Sequence, residues 1–177
     1  MNLYVVRHGE TIWNLEKRVQ GITDIPLTEK GKSSAFELQK LVNTLNIDVV
    51  ISSPLSRARD TAKILVDSKL PINTDDRIKE RDWGMNEGAL IDGIDKWDCW
   101  DVILNTKVQN IECIQDFMYR VSSFLEEIKT KYKDKNVLVV THSAVIRVIH
   151  YMLGEIHEDG NLSRMNIPNL RILEYKI

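Results

Sequence analysis

The chain has 177 residues, with 24 lysines and arginines against 26 aspartates and glutamates, and 43% of it is hydrophobic. That length and composition fit one globular domain, spanning residues 1–177, and exclude a disordered, collagenous or disulfide-stapled chain. A formal charge of -2 leaves no basic surface for nucleic acid or an anionic membrane, so any bound anion must be held by a local site.

Short apolar runs rich in β-branched residues recur at Leu3 to Val6, Val49 to Ile51 and Val137 to Val140, the pattern of strands buried on both faces of a parallel sheet. Helix signals accompany each run. Thr11 to Leu15 follows the first, and then a longer helix opened by Thr28, with Ala35, Leu38, Leu41, Val42 and Leu45 at helical spacing. After the second run, Ser53-Pro54 reads as an N-cap serine with proline at the first helical position, whose positive end would favour an anion. Ile114, Phe117, Met118, Val121, Phe124, Leu125 and Ile128 predict a long helix before the third run, and Val145 to Leu153 another after it. Leu173, Tyr175 and Ile177 alternate with Glu174 and Lys176, which predicts a half-exposed strand at a sheet edge, one that would permit a homodimer. Alternating strands and helices predict a three-layer α/β/α sandwich around a mostly parallel sheet.

No linker or repeat divides the chain. The least regular part lies around 73–112, where Trp83, Trp97 and Trp100 sit among acidic residues and glycines, and it reads as a substrate-facing insertion. Ile94, Trp97 and Trp100 are expected either at a pocket mouth or in ordinary core. Cys99 and Cys113 make no CxxC pair and read as free thiols of a reducing compartment. With no apolar run near the roughly 18 residues of a membrane span and no leader-like start, the protein is expected in the cytoplasm, and the sequon Asn161-Leu162-Ser163 has no expected use.

In open α/β sheets ligands bind beyond the carboxyl ends of the strands. The residues there are polar: Arg7-His8-Gly9-Glu10-Thr11 after the first run, Ser52 to Arg59 after the second, and Thr141-His142-Ser143 after the third. Two histidines and at least one arginine should therefore meet in one crevice. A histidine nitrogen in a concentrated cationic field suits attack on a phosphoryl group. Two neighbouring arginines lower an imidazole pKa from about 6.5, so His8 should be neutral and nucleophilic.

Four ordered stretches then show a resemblance. Arg7 to Thr11 with Trp13-Asn14, Gln20-Gly21 and Asp24 to Gly31; Ser52 to Ala62; Glu80 to Gly84 with Glu87-Gly88; and Val140-Thr141-His142 together resemble the histidine phosphatase superfamily, with its phosphoglycerate mutase-like fold. The resemblance spans nearly the whole chain. It implies a phosphatase needing no metal or other cofactor, in which His8 becomes phosphorylated and water hydrolyses the phosphohistidine. It implies Arg7, Arg57 and His142 around the phosphoryl oxygens, Asn14, Gly21 and Ser143 completing the substrate site, and Glu80 as general acid, with its pKa raised by Trp83 or the bound phosphate. Arg59 competes with Arg57, but residues two apart on a helix face different ways and the family spacing falls on Arg57. Glu87 competes with Glu80, and its following glycine implies tight backbone near the pocket. Many members have glycines after the second histidine, whereas this chain has Ser143-Ala144, which narrows that turn.

Other readings fail on spacing. Pro26 to Ser33 ends like a P-loop, but proline stands at the first glycine position and no strand precedes it. His142-Ser143 lacks the glycines of a hydrolase elbow. His150 and His157 have no second ligand pattern for a metal and read as surface or packing residues. The rival enzyme is a phosphoglycerate mutase, disfavoured because the only basic residues between Asn86 and Glu112 are Lys96 and Lys107. The rival of another class is a phosphate-binding or phosphoprotein-binding module, which would need the arginines but neither a nucleophile nor an acid. A small phosphorylated substrate is the expected partner.

Overall fold

The computed structural model describes residues 1–91, 97–153 and 160–177, with the backbone alone at 97, 98 and 164. In chain order these contain β1 (Asn2–Arg7), α1 (Ile12–Leu15), α2 (Glu29–Val42), β2 (Val49–Ser52), α3 (Ser56–Leu65), β3 (Ile72–Thr74), α4 (Ile114–Lys131), β4 (Asn136–Thr141), α5 (Ser143–Met152) and β5 (Ile172–Lys176). The strands form one sheet in the order β3-β2-β4-β1-β5. All neighbours are parallel except β5, which runs antiparallel along β1. This is the layered α/β architecture expected from the sequence, with the C-terminal strand at the edge.

Successive side chains of a strand point to opposite faces, and both faces here are apolar. Leu3 and Val5 join Ile51, Val137 and Val139 in a core with α4 and α5. Tyr4 and Val6 join Val50, Leu138 and Val140 in a second core with α2 and α3. Burying each such aliphatic side chain stabilises by roughly 1.5–3 kcal/mol, so a polar residue on either face would open a layer.

Two local expectations are corrected. Ser53-Pro54 does not open α3: the helix begins at Ser56 with Leu55 as its N-cap, and the side chain of Asp24 accepts from both Ser56 N and Ser56 Oγ at 2.8 Å. Ser53 is taken elsewhere, and the positive helix end meets Asp24 rather than an open site. Helix α2 stops at Val42, so Leu45 lies beyond it, and Leu41 is 51% exposed because Ala35 and Val42 define the buried stripe. Strand β3 was not anticipated, since three residues pairing with β2 carry too little pattern.

The segment after β3 packs inward. Ile78, Trp83 and Trp100 join the α4/α5 core. Arg81 lies between the two indoles, 5.4 Å from the Trp83 ring and 5.1 Å from the Trp100 ring. Its guanidinium donates to the carbonyls of Cys99 and Glu112, at 2.7 to 2.9 Å. Of the three side chains expected at a pocket mouth, Ile94 and Trp97 lie outside the described residues. Neither cysteine is in a disulfide. Among the described residues no helix is long and apolar enough to cross a membrane.

Candidate active site

Strands β1 and β4 are neighbours, and Arg7 is in register with Thr141. The next residues, His8 and His142, therefore leave the carboxyl ends side by side, with ring centroids 5.2 Å apart. His8 Nδ1 lies 2.7 Å from the carbonyl oxygen of Gly9. A carbonyl only accepts, so Nδ1 carries the proton and Nε2 keeps its lone pair. Asn169 Nδ2 donates to the carbonyls of His8 and Gly9 at 2.9 and 3.2 Å, fixing that backbone. Burial, then the charges of Arg57 and Arg7, hold the His8 imidazole well below its ordinary pKa, and it is neutral.

His142 is fully buried, and burial with Arg57 nearby keeps its imidazole neutral too. Its Nε2 lies 2.7 Å from Ser53 Oγ, while Nδ1 has no partner among the described residues. Arg57 is fully buried and donates from Nη1 to Thr23 O at 2.8 Å and from Nη2 to Gly21 O at 2.6 Å; its Nε is unpartnered. Arg59, by contrast, is exposed. Arg7 donates to Ile167 O, also with Nε unpartnered, and burial pulls its pKa down to about 10. Buried polar atoms without partners are costly, and among the described residues Arg7 Nε, Arg57 Nε and His142 Nδ1 are three of them.

Glu80 is 7% exposed. Its Oε1 accepts from Arg81 N at 2.9 Å and Ala144 N at 3.2 Å. Burial raises its pKa; the two amides and the charges of Arg57 and Arg7 oppose that rise without cancelling it. The largest cause of the rise is desolvation by burial, and Trp83 lines the same cavity as Glu80. Arg120 of α4 fastens the preceding backbone, donating to the carbonyls of Arg77, Lys79 and Glu80 while its other edge pairs with Glu112 at 2.7 Å.

Glu87 is fully engaged. It accepts from Ile22 N at 2.9 Å, Thr23 N at 2.8 Å, Trp83 N at 3.2 Å and the Thr23 hydroxyl. It thus braces the loop whose carbonyls grip Arg57. A Cβ on Gly21 would fall 1.8 Å from Glu87 Oε1, so only glycine fits there.

A cavity of about 220 Å³ opens beside these groups. Arg7, His8, Asn14, Glu80 and Ser143 line it, whereas Arg57 and His142 are not in its lining and Gly21 acts through its carbonyl on Arg57. Asn14 Oδ1 is turned to Thr11 and Asn169, which leaves Nδ2 to offer the cavity. Arg147, Gln20 and Trp100 also line it and were not singled out as a set. Arg147 had a legible signal, being the lone arginine in the otherwise apolar stretch Ala144 to Ile149. Asn169 and Arg81 had none. Among the described residues no group of three or more His, Cys, Asp or Glu side chains is placed to hold a metal ion.

The family model of the histidine phosphatase superfamily, branch 1, matches residues 3–177. The chain belongs to that family. The chain is 37% identical over 153 residues to the uncharacterized phosphatase PhoE of Bacillus subtilis (strain 168), covering 86% of this chain and 75% of that one. It is 33% identical over 153 residues to a protein of Enterobacter sp. (strain 638) named "Probable phosphoglycerate mutase GpmB", covering 82% and 71%. Among solved structures, YhfR of Bacillus stearothermophilus superposes with a TM-score of 0.86 at 30% identity, over 99% of this chain and 91% of that one.

Proposed function

We propose that this histidine phosphatase hydrolyses a small phosphomonoester through a phosphohistidine on His8. The observation that carries the reading is the Nδ1–H···O=C contact to Gly9, which leaves a neutral Nε2 nucleophile beside Arg7, Arg57 and His142. In the first step His8 Nε2 attacks phosphorus, the P–O bond to the leaving group breaks, and Glu80 gives its proton to the departing oxygen. In the second, Glu80 takes a proton from a water whose oxygen attacks phosphorus, the P–N bond breaks, and inorganic phosphate leaves. Arg7 and Arg57 meet the charge of the phosphoryl oxygens in both steps, and His142 Nδ1 supplies a further donor when protonated. Asn14 and Ser143 complete the lining on the substrate side, and no step requires a metal ion.

Hydrolysis is favoured over a mutase because the only basic residues between Asn86 and Glu112 are Lys96 and Lys107. The test is turnover of p-nitrophenyl phosphate in excess EDTA by wild type and His8→Ala, with denaturation in alkaline detergent to trap phosphorylated enzyme. Activity that survives EDTA, with acid-labile phosphate absent from His8→Ala, is the expected result. Activity retained by His8→Ala would overturn the scheme.

A further inference from the structure

Ser53 follows β2 at the carboxyl end of the sheet and is held from both sides of its backbone. Its amide donates to Val140 O at 3.0 Å, and its carbonyl accepts from Ser52 Oγ at 2.8 Å. The residue is fully buried, and its hydroxyl oxygen lies 2.7 Å from His142 Nε2. A hydroxyl carries one proton and can accept two hydrogen bonds. Among the described residues two groups come within reach of Ser53 Oγ: the amide of Leu55, at 3.4 Å, and His142 Nε2. An amide only donates, so it takes a lone pair of the hydroxyl and leaves the proton to Nε2. Were Nε2 itself protonated, two donors would face each other and the buried O–H would have no acceptor, the costly state for a polar group away from water.

The ring chooses between its two neutral forms. Arg57 of α3, Arg7 and His8 at the end of β1 and Arg120 of α4 face it, and together with burial they disfavour a second proton. Glu80, which reaches the same turn of α5 through the amide of Ala144, is itself pushed toward its neutral form by burial. A neutral imidazole whose Nε2 accepts carries its proton on Nδ1, the atom without a partner among the described residues. His8 is the converse, with Nδ1 donating to Gly9 O and Nε2 keeping its lone pair. Two neutral rings with centroids 5.2 Å apart thus hold opposite tautomers, one with a lone pair to give and the other with a proton.

Resting on the phosphatase reading, we infer that Ser53 is a positioning residue: its hydroxyl fixes His142 as the Nδ1–H tautomer, so that an uncharged ring donates to a phosphoryl oxygen while His8 attacks the phosphorus. The donor needs no proton from solvent, and Nδ1 keeps its hydrogen through both steps. The other tautomer would set a lone pair against the negative oxygens and turn a stabilising dipole into a repelling one.

The first test reads the nitrogens themselves. In protein labelled with nitrogen-15 histidine at pH 8, the His142 signals are those lost in His142→Gln, and chemical shift separates a protonated ring nitrogen from an unprotonated one. Protonated Nδ1 with unprotonated Nε2 is expected in wild type. Protonated Nε2, alone or with Nδ1, would overturn the assignment whatever the enzyme turns over. Ser53→Ala should mix the two tautomers; a pure Nδ1–H ring in that variant would take the role away from the serine.

The second test follows activity. Ser53→Ala should lower kcat/KM for p-nitrophenyl phosphate on the order of 10-fold, the scale of one hydrogen bond to the ring, and Ser53→Thr, which keeps the hydroxyl, should restore most of it. A serine that merely supported the fold would also cost activity, so the same change is made in His142→Gln. There Ser53→Ala should cost under about 2-fold, because its effect runs through the imidazole. A loss as large as in the wild-type background would overturn the positioning role. If wild type turns over no ester, the phosphatase reading fails, and the tautomer is judged alone by the nitrogen shifts: protonated Nδ1 keeps it, and unprotonated Nδ1 removes it.

Discussion

The amide of Ala144 donates to both carboxylate oxygens of Glu80, at 3.2 and 3.4 Å, so the first turn of α5 ends on a buried acid. A methyl side chain at 144 costs that contact nothing, because the donor is backbone. The arrangement puts Glu80 where burial raises its pKa while one helix end still orients it.

Glu80 therefore stabilises the fold in the opposite pH sense from an ordinary carboxylate. Its folded pKa is raised, so the folded chain keeps a proton that the unfolded chain has lost, and stability from this group falls as pH rises through the folded value. Glu80→Gln should abolish turnover while gaining stability relative to wild type at pH 8, with the gap closing toward pH 4. Urea midpoints at the two pH values decide it; a gap that does not narrow toward pH 4 contradicts the assignment.

The histidines act the other way. His8 and His142 have folded pKa values well below the ordinary value near 6.5, so the unfolded chain binds protons that the folded chain refuses. Their contribution is fully present above about pH 6.5 and is lost as pH falls below it. The double variant His8→Gln, His142→Gln should show a flatter loss of stability between pH 7 and 5 than wild type. Equal slopes would mean that neither imidazole resists protonation.

Arg57 and Arg59 are two residues apart and differ completely in surroundings, one fully buried and one exposed. Arg57→Met should lower kcat/KM on the order of 10²-fold or more, the usual cost of one preorganised donor. Arg59→Met should stay within about 2-fold and shift stability by under about 0.5 kcal/mol. The same assay on both, beside a melting curve, separates them.

Glu87 touches no atom of the cavity wall's charged groups yet sets the loop that grips Arg57. Glu87→Ala is predicted to lose on the order of 10- to 100-fold in kcat/KM through misplacement of the guanidinium. Inhibition by inorganic phosphate should weaken in parallel with Arg57→Met. A lowered Tm with phosphate affinity intact would make Glu87 a purely structural brace.

Arg81→Met leaves the carbonyls of Cys99 and Glu112 without their donor and removes a cation from between two indoles. The expected loss is about 3 kcal/mol, read as a Tm fall of about 6–12 °C for a chain of this size. A fall under about 2 °C would show that the stacked rings hold the segment by themselves.

The strand ends were legible because β-branched runs are continuous and the residues after them are abruptly polar; that placed Arg7, His8 and His142 before any register was known. The helix start at Ser53-Pro54 misled because its serine hydroxyl is claimed by His142, and the cap comes from Asp24 on another loop. The roles of Glu87, Arg81 and Asn169 were illegible for a common reason. Each is defined by main-chain groups that are distant in sequence, and a carbonyl or amide leaves no mark in the identity of the residue that bears it.

The grip of Arg81 on the segment after residue 96 has a consequence for how this enzyme can change. It holds that segment through carbonyl oxygens, which every amino acid possesses, and so imposes no spelling on Cys99 or Glu112 at the points of attachment. A change of side chain at Cys99 or Glu112 leaves these two attachments in place, whereas Trp83 and Trp100, which line the cavity and flank Arg81, cannot change without touching the anchorage.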